Sequence, residues 1–475
     1  MHPTNLLTRR TFLCDTAAGM GLAALASLAH AQSPGPLRSS ARQNGQPGVI
    51  QPHHAPKAKR IIWLYMAGGM SHLESFDHKP QLARMNGQPM PASFTTGQPI
   101  AQLQGQALRI FGPQHPFRRY GQSGQEIAEI FPHIGSIADD ICIVRSLKTD
   151  AINHDPAHTF MNTGTTISGR PSMGSWLAYG LGCEAEDLPA FCVLTSNGRY
   201  GQSQPIAQRQ WSAGFLPSRH QGIHLRGTGD PVLYLSNPAG VDGARQRDVV
   251  DAVQQLNRIH DGLVDDPEIA TRISQYEMAF RMQTSVPALR DFSQESQTTL
   301  RSYGITGPDG SFGANCLMAR RMAERGVRFI QLYHRDWDHH GSVKDHMRGS
   351  AGEVDQATAA LVKDLKARGM LDDTLIVFGS EFGRTPMSQS GNGRDHHMKG
   401  FSVWLAGGGI KGGISHGATD ELGYNAVDDI VSVHDLHATM LHLMGIDHLR
   451  LTYRFQSRDF RLTDVSGNVV EEILA

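Results

Sequence analysis

Ionisable side chains that could do chemistry are concentrated in residues 374–400 of this 475-residue chain. Residues 374–378 form a short apolar run, which predicts a strand buried on both faces of a parallel sheet. The ionisable residues that follow it are Glu381, Arg384, Asp395, His396, His397 and Lys399. Ligands of open α/β sheets bind at the carboxyl ends of the strands, so we interpret this segment as a functional loop. The alternative is a polar surface loop rich in Gly and Ser.

A second polar segment, HRDWDHHG at residues 334–341, follows a predicted strand at 327–333. In extended chain alternate side chains share a face, so we expect Asp336, Asp338 and His340 to point together. Trp337 and His339 would face the other way. Carboxylate and imidazole groups on one face suit a divalent metal ion.

A third polar segment, residues 149–164, follows a predicted strand at 141–144. A helix that begins at Pro156 would bring His154 close to His158, with His154 just outside the first turn. Three roles are open for His154: a metal ligand, a covalent nucleophile, or a side chain that only hydrogen-bonds within its loop.

A sheet and covering helices must position these segments. The apolar runs that predict buried strands are 61–66, 141–144, 191–194, 327–333 and 374–378. The stretches that predict helices are 126–139, 312–325, 352–368 and 432–445. This alternation indicates an α/β domain over residues 58–475, with a mostly parallel central sheet flanked by helices. Residues 195–310, with predicted helices at 249–259 and 267–282, are interpreted as an insertion that covers the sheet and shapes the pocket.

Composition excludes some classes of function. The formal net charge is −1, whereas a nucleic-acid-binding protein would need a basic stripe. The spacings of the five cysteines match neither a disulfide framework nor a zinc finger, and Cys142 and Cys192 fall in apolar runs typical of a buried core. We expect no membrane span in the mature chain. The 24 histidines, several beside Asp, favour a metal site.

The N-terminal residues 1–31 predict a twin-arginine signal peptide. Residues 8–13 read TRRTFL, and an apolar run rich in Ala and Gly follows and ends in the small-x-small site Ala29-His30-Ala31. Residues 32–57 are rich in Pro, Gly, Ser and Gln and predict a disordered linker. The twin-arginine route carries folded proteins, so we expect a periplasmic or extracellular protein that binds its metal before export.

Several motifs, with the twin-arginine start and in chain order, resemble those of the DUF1501 family of exported proteins. They are AGGMSHLESFDHKP, NHDPAHTFMNTG, GRPSMGSW, WDHHG, SEFGRTP, GRDHH and VHDLHATMLHLMGI. That family is grouped with the alkaline phosphatase and sulfatase superfamily. The resemblance implies an alkaline phosphatase/sulfatase-like fold with metal ligands at the carboxyl ends of the strands, and hydrolysis of phosphate or sulfate esters.

Carried over residue by residue, the resemblance keeps part of the superfamily site. His154 stands where a sulfatase has its Cys or Ser nucleophile, and His158 where it has an Arg. Ala67 lies near the position of a strand-end Asp, and Glu381-Phe382 stands where the superfamily has an Asp-His pair. The residues that resemble the remaining metal ligands are Asp338, His340 and His396.

We therefore weigh two functions. The first is metal-dependent hydrolysis of an anionic ester, either a small molecule or a sulfated or phosphorylated polymer, with Zn²⁺ or Ca²⁺ as the expected ion. The expected metal ligands are Asp338, His340, Glu381, His396 and His154. We favour the ligand role for His154 because Ala67 leaves the site short of a donor. Arg384 and Lys399 would hold the anion. The second is an exported binding protein with a degenerate metal site and no hydrolase activity.

Replacement of Arg9 and Arg10 by Lys should trap the precursor in the cytoplasm, because the twin-arginine pair is the feature that its export route requires. Cell fractionation followed by N-terminal sequencing measures this, and the unaltered protein should begin near Gln32. Efficient export of the double variant would rule out the twin-arginine route.

Overall fold

A computed structural model describes residues 46–227, 231, 232, 237, 240–264 and 267–475. The predicted signal peptide at 1–31 and residues 32–45 of the predicted linker lie outside this part of the chain. In the described part, no helix is both long and apolar enough to cross a membrane.

The chain alternates between strands and helices. The strands are β1 Gln46–Pro47, β2 Arg60–Met66, β3 Phe117–Tyr120, β4 Gln125–Ala128, β5 Ile141–Lys148, β6 Gly182–Cys183, β7 Phe191–Ser196, β8 Ile223–Leu225, β9 Phe329–His334, β10 Thr374–Gly379, β11 Gly383–Gln389, β12 Gly393–His397, β13 Phe401–Ala406, β14 Ile414–His416, β15 Ala418–Thr419, β16 Ala426–Asp428, β17 Val431–Ser432, β18 Tyr453–Phe455 and β19 Arg458–Phe460.

The α-helices are α1 Pro80–Arg84, α2 Ala92–Thr95, α3 Pro132–Gly135, α4 His154–Thr163, α5 Met173–Leu181, α6 Gly243–Val264, α7 Pro267–Arg290, α8 Gln297–Ser302, α9 Phe312–Glu324, α10 Val343–Ala367 and α11 Val433–Leu443. The 3₁₀ turns are His72–Glu74, Ala138–Asp140, Gln208–Trp211, Ser218–His220, Phe292–Gln294, Leu371–Asp373 and Glu471–Ile473.

The central sheet has the strand order β14-β5-β13-β10-β2-β9-β7-β8, with β17 also paired to β5. Its neighbours are parallel except at β13, which is antiparallel to both β5 and β10. Strands β5, β10, β2, β9 and β7 therefore all run the same way, and their carboxyl ends lie on one edge. The predicted mostly parallel sheet flanked by helices is confirmed.

Helices cover both faces of this sheet. The side chains of Ile62 and Leu64 in β2 belong to one buried core with residues of α9 and α10. Those of Trp63 and Tyr65 belong to a second core with residues of α5 and α11. Every residue of β2 is buried, as expected for a central parallel strand that is covered on both faces. The four described cysteines are buried and free, which agrees with the prediction for two of them.

Two of the predicted helices differ from the structure. The helix predicted at 126–139 is wrong, because β4 pairs with β3 as a hairpin and Pro132 then starts the short helix α3. Four isoleucines at helical spacing produced the false periodicity. Helix α10 begins at Val343, well before residue 352, and Gly349 lies inside it. A Cβ at Gly349 would lie 2.1 Å from the hydroxyl of Tyr200.

The segment at 374–400 is also more ordered than a loop. After β10, strands β11 and β12 form an antiparallel hairpin in which Arg384 pairs with His396 and Gly383 with His397. The hairpin directs His396 back over the end of β10. Its backbone hydrogen bonds therefore fix the geometry of this segment.

Residues 46–57, which fall in the predicted linker, are attached to the domain. The backbone N–H groups of Val49 and Ile50 donate to carbonyls of α5, and that of Lys57 donates to the carbonyl of Leu443. These residues therefore belong to the domain surface rather than to a disordered linker. The predicted insertion at 195–310 begins at the end of β7, contains α6, α7 and α8, and sends residues 198–211 towards the carboxyl edge of the sheet.

A buried ion pair fixes the β11–β12 hairpin to the loop after β2. Arg394 donates to Glu74 at 2.7 Å, and neither side chain is exposed to solvent. Arg394 also donates to the carbonyls of Phe111, Thr385 and Gly112. Burial would raise the pKa of Glu74, but the charge of Arg394 and its hydrogen bonds hold the pKa below its usual value.

The substitution Glu74→Gln should lower the free energy of unfolding by about 3–5 kcal/mol, because it leaves the Arg394 charge buried without an anionic partner. Urea denaturation followed by circular dichroism measures the change. The control is Asp459→Asn, which breaks an exposed pair with Arg454 and should cost less than about 1 kcal/mol. Equal losses in the two variants would contradict a structural role for the buried pair.

Candidate metal centre

Three imidazole rings and one carboxylate meet at the edge where β5, β9 and β10 end. His154 is the first residue of α4, Asp338 and His340 lie between β9 and α10, and His396 is on β12. The Oδ1 atom of Asp338 lies 3.2 Å from Nε2 of His154. It lies 2.9 Å from Nε2 of His340 and 3.3 Å from Nε2 of His396. The structure thus brings together residues predicted from three separate stretches, although their role as ligands stays a prediction.

The three rings share one hydrogen-bonding arrangement, in which Nδ1 donates to a fixed oxygen atom. The pairs are His154 with Glu381 Oε1 at 2.7 Å, His340 with Gln389 Oε1 at 2.5 Å, and His396 with the carbonyl of Ile152 at 2.9 Å. The Gln389 amide is oriented by its other end, which donates to Gln102. A neutral ring that donates from Nδ1 carries its lone pair on Nε2. Anchors of this kind commonly fix the ring of a metal-bound histidine.

Four electron-rich atoms therefore face one point. Nε2 of His340 lies 2.9 Å from Nε2 of His396, and both approach the Asp338 carboxylate. With Nδ1 protonated, neither Nε2 has a hydrogen to share, so these atoms repel one another unless a cation or extra protons lie among them. The ligand atoms of the four residues lie within 4.8 Å of one another. Three imidazole nitrogens and one carboxylate are a donor set that suits Zn²⁺ better than Ca²⁺, which prefers oxygen.

The surroundings favour an ionised carboxylate. Burial would raise the pKa of Asp338, but the charge of the Arg384 guanidinium holds the pKa well below its usual range. Burial lowers the pKa of His396 to about 4, which keeps that ring neutral. Burial also acts to lower the pKa of His154, but its hydrogen bonds to Asp338 and Glu381 outweigh this and raise the pKa above the usual value. His154 is therefore a ring at which protons compete with a metal ion.

Glu381 is hydrogen-bonded to Nδ1 of His154, whereas Asp338 faces Nε2 of the same ring. Its carboxylate is fully buried and also accepts hydrogen bonds from Gly68 N–H at 3.0 Å and from Ser380 Oγ at 2.8 Å. Burial would raise its pKa, but the nearby His158 and His154 lower it to about 2. Glu381 is thus hydrogen-bonded to His154 and is not among the four residues that meet at Asp338, a position that differs from the ligand role predicted for it.

His158 lies on the inner side of this anchor. Its Nε2 is 3.6 Å from Glu381 Oε1, and its Nδ1 is hydrogen-bonded to the hydroxyl of Tyr65 at 2.9 Å. His154, His158 and Glu381 form a second group of side chains of metal-binding type. Both His158 and Glu381 are fully buried there, and burial lowers the pKa of His158.

Arg384 is a buried partner of Asp338 rather than an open anion-binding group. Its side chain is 1% exposed and donates to Asp338 Oδ1 at 2.5 Å. It also donates to the carbonyls of Gly68, Gly69 and Arg394. These contacts direct its guanidinium to protein groups and away from a substrate, which differs from the predicted role.

Lys399 does not lie with the three rings. Its carbonyl accepts a hydrogen bond from the N–H of Ala426 at 2.9 Å, and its charge helps to lower the pKa of His397 after the larger effect of burial. His397 is buried and hydrogen-bonded to the carbonyl of Tyr424, so both residues contact the segment at 424–426. The predicted anion-binding role of Lys399 gains no support from this position.

The predicted grouping of Asp336 with Asp338 and His340 is wrong. Strand β9 ends at His334, and Asp336 has a φ of 91°, so alternation of an extended chain does not apply there. The carboxylate of Asp336 turns away from the rings and accepts hydrogen bonds from the backbone N–H groups of Tyr200 and Gln202.

An apolar wall closes one side of the centre. The Phe382 ring is fully buried, with its centroid 4.9 Å from that of His154 and 4.7 Å from that of His396. It stands where the resemblance implies a second metal-binding histidine. The Phe382 ring packs against the two imidazole rings instead of supplying a donor atom.

Several supporting groups carry no signal in the sequence. Gln389, the carbonyl of Ile152 and Ser380 act through hydrogen bonds that only the fold creates. Gly68 is different, since a Gly-Gly pair directly after a predicted strand is a sequence pattern that permits a close backbone approach. A Cβ at Gly68 would lie 2.6 Å from the nitrogen of Asp338, so the approach requires glycine.

Comparison with known proteins gives a family. Residues 58–474 match the family model described as "Protein of unknown function (DUF1501)". The chain belongs to the DUF1501 family. A search of curated proteins gives no match for it.

Solved structures resemble the DUF1501 domain at a distance. Ps i-CgsB in complex with k-i-k-neocarrahexaose is 13% identical, with 83% of this chain and 72% of that chain covered and a TM-score of 0.36. PsFucS1 sulfatase from Pseudoalteromonas sp. is 12% identical, with 86% and 69% covered and a TM-score of 0.32. A mutant of TAB5 alkaline phosphatase with Mg bound is 10% identical, with 76% and 94% covered and a TM-score of 0.30. These scores are too low to bear on activity.

The affinity for Zn²⁺ should fall as the pH is lowered, because a proton on Nε2 of His154 excludes the ion. Since the pKa of His154 is raised, the fall should begin above the usual value for histidine, about 6.5. Equilibrium dialysis from about pH 8.5 to about pH 5.5 measures it. His154→Ala should bind Zn²⁺ more weakly and should lose this part of the pH dependence. An unchanged affinity in His154→Ala would refute the ligand role.

Proposed function

We propose that this DUF1501 protein is an exported, metal-dependent hydrolase of an anionic phosphate or sulfate ester. The convergence of three Nε2 lone pairs on the Asp338 carboxylate carries the proposal, because such a set of acceptors is stabilised by a divalent cation. His154, His340, His396 and Asp338 would hold the ion, and Zn²⁺ fits these donors. When bound, it would lower the pKa of a water molecule and neutralise charge on the ester.

The surroundings keep one side of the centre open. The side chains of Asp338 and His340 are 22% and 26% exposed, whereas that of His396 is 6% exposed. Phe382 and the sheet close the inner side. Catalytic zinc sites keep an open coordination position, and four protein ligands would already fill a tetrahedral ion. A water molecule would therefore take a fifth position, on the exposed side of the centre near His340.

A divalent ion bound at this centre would favour a negatively charged substrate. Helix α4 begins at His154, and no side chain caps its N-terminus at Asn153. The partial positive charge of a helix N-terminus adds to that of a divalent ion. The positive charge of Arg384 is paired with the negative charge of the Asp338 carboxylate. The anion would thus be held by the ion and by α4 rather than by Arg384 and Lys399.

His154 is better suited to hold a metal ion than to attack the substrate. Its Nδ1 is committed to Glu381 at 2.7 Å, and its Nε2 faces Asp338 at 3.2 Å. A nucleophilic ring needs a free lone pair directed at the substrate. Water is therefore the proposed nucleophile, with Glu381 holding the ring of His154 in its orientation.

Export forms part of the proposal and is supported by the sequence at Arg9-Arg10 and Ala29-His30-Ala31. The substrate would accordingly be met in the periplasm or outside the cell, as a small ester or as a sulfated or phosphorylated polymer.

Protein loaded with Zn²⁺ should hydrolyse at least one member of a panel of aryl phosphates and aryl sulfates, and removal of the metal should abolish turnover. His340→Ala should lose both metal and activity, by at least about 100-fold in turnover, because it removes a ligand of the ion. His78→Ala is the control, since this ring stacks on Phe117 outside the cluster.

Two results would contradict the hydrolase proposal. Metal binding without turnover across the panel would favour the alternative of an exported binding protein. A phosphorylated histidine trapped in the wild type, together with metal retained in His154→Ala, would make His154 the nucleophile instead of a ligand.

A further inference from the structure

The side chain of Gln202 pairs with the backbone of Asp338. Its Nε2 donates to the Asp338 carbonyl at 2.9 Å, and its Oε1 accepts from the Asp338 N–H at 3.0 Å. The amide thus satisfies both backbone groups of one residue, as a neighbouring β-strand would. Gln202 lies just after β7, far from Asp338 in sequence, and has no ionisable group that would single it out.

A reciprocal contact strengthens this pairing. The carboxylate of Asp336 accepts a hydrogen bond from the N–H of Gln202 at 2.8 Å and another from the N–H of Tyr200. Asp336 has a φ of 91°, a conformation that non-glycine residues rarely adopt and that surrounding contacts must hold. Gly198 permits the approach, because a Cβ there would lie 2.3 Å from the Cβ of Asp336.

The opposite side of the same segment is fixed by the turn after β2. Gly68 approaches the nitrogen of Asp338 and the backbone of Trp337 so closely that a Cβ would lie 2.6 Å and 2.7 Å from them. Trp337 also donates its N–H to the carbonyl of Ala67 at 3.3 Å. Residues 336–338 are therefore held between the β2 turn and residues 198–202.

We propose that Gln202 is a positioning residue of the metal centre. By holding the Asp338 backbone on both sides of its Cα, it keeps Oδ1 at the point where the three imidazoles converge. This inference rests on the proposed metal-binding function. Gln202 lies near the start of the predicted insertion, so this part of the insertion would help to set the affinity of the centre for its ion.

The variant Gln202→Met keeps the length of the side chain and removes both hydrogen bonds. Gln210→Met is a matched control, because Gln210 is a buried glutamine that pairs in the same way with backbone of its own segment, at Pro205 and Ala207. Zn²⁺ affinity is measured on the full mature chain by competition with a chelating dye. We expect Gln202→Met to bind about 10-fold to 100-fold more weakly than the wild type, and Gln210→Met to bind within about 3-fold of it.

Two further readouts separate positioning from general loss of structure. The Co²⁺-substituted Gln202→Met protein should show altered visible absorption bands, since the position of one ligand changes, while Gln210→Met should keep the wild-type spectrum. Hydrogen–deuterium exchange of the metal-free proteins should be faster over 336–340 in Gln202→Met alone, because the Asp338 N–H loses its acceptor.

Each outcome is decisive. Equal weakening of Zn²⁺ binding in both variants, or faster exchange in Gln202→Met with unchanged Zn²⁺ affinity, would overturn the positioning role. Unchanged exchange in Gln202→Met would show that the pairing itself is absent in solution. A wild type that binds no metal would refute the proposed function and the positioning role together, and the exchange measurement would then still decide whether Gln202 holds Asp338.

Discussion

The structure of the candidate centre depends on one constraint, which is that three imidazole rings are each held by a hydrogen bond from Nδ1. The acceptors are Glu381 for His154, Gln389 for His340 and the carbonyl of Ile152 for His396. With Nδ1 fixed, every ring directs Nε2 at the same carboxylate oxygen. This convergence of acceptors on a carboxylate that Arg384 already contacts is the observation on which the proposed metal site rests.

The rest of the fold serves to bring the acceptors and rings together. The parallel strands end at one edge, and the β11–β12 hairpin carries His396 over that edge. Two buried arginines form ion pairs near this edge, Arg394 with Glu74 and Arg384 with Asp338. Burial of these charges is unfavourable unless each is fully paired. The candidate centre and the hairpin are therefore linked through the same polar network, in which Arg384 also donates to the carbonyl of Arg394.

The sequence predicted which residues form the candidate centre better than it predicted the role of each. His154, Asp338, His340, Glu381 and His396 were recognisable because each follows an apolar run of strand length, and such runs also predicted most of the sheet. The conformation of Asp336 and the burial of Arg384 were not predictable, since both depend on backbone groups from segments distant in sequence. The glutamines at 202 and 389 gave no signal, because an uncharged amide acts only through the geometry that surrounds it.

Anomalous diffraction at the absorption edge of zinc, from crystals of protein purified with its metal, tests the central claim most directly. We expect one strong peak with His154 Nε2, His340 Nε2, His396 Nε2 and an oxygen of Asp338 within about 2.0–2.2 Å, and with Glu381 hydrogen-bonded to His154 but not bound to the ion. A peak coordinated by Glu381 and His158, or no peak among the three rings, would contradict a centre built on the convergence at Asp338.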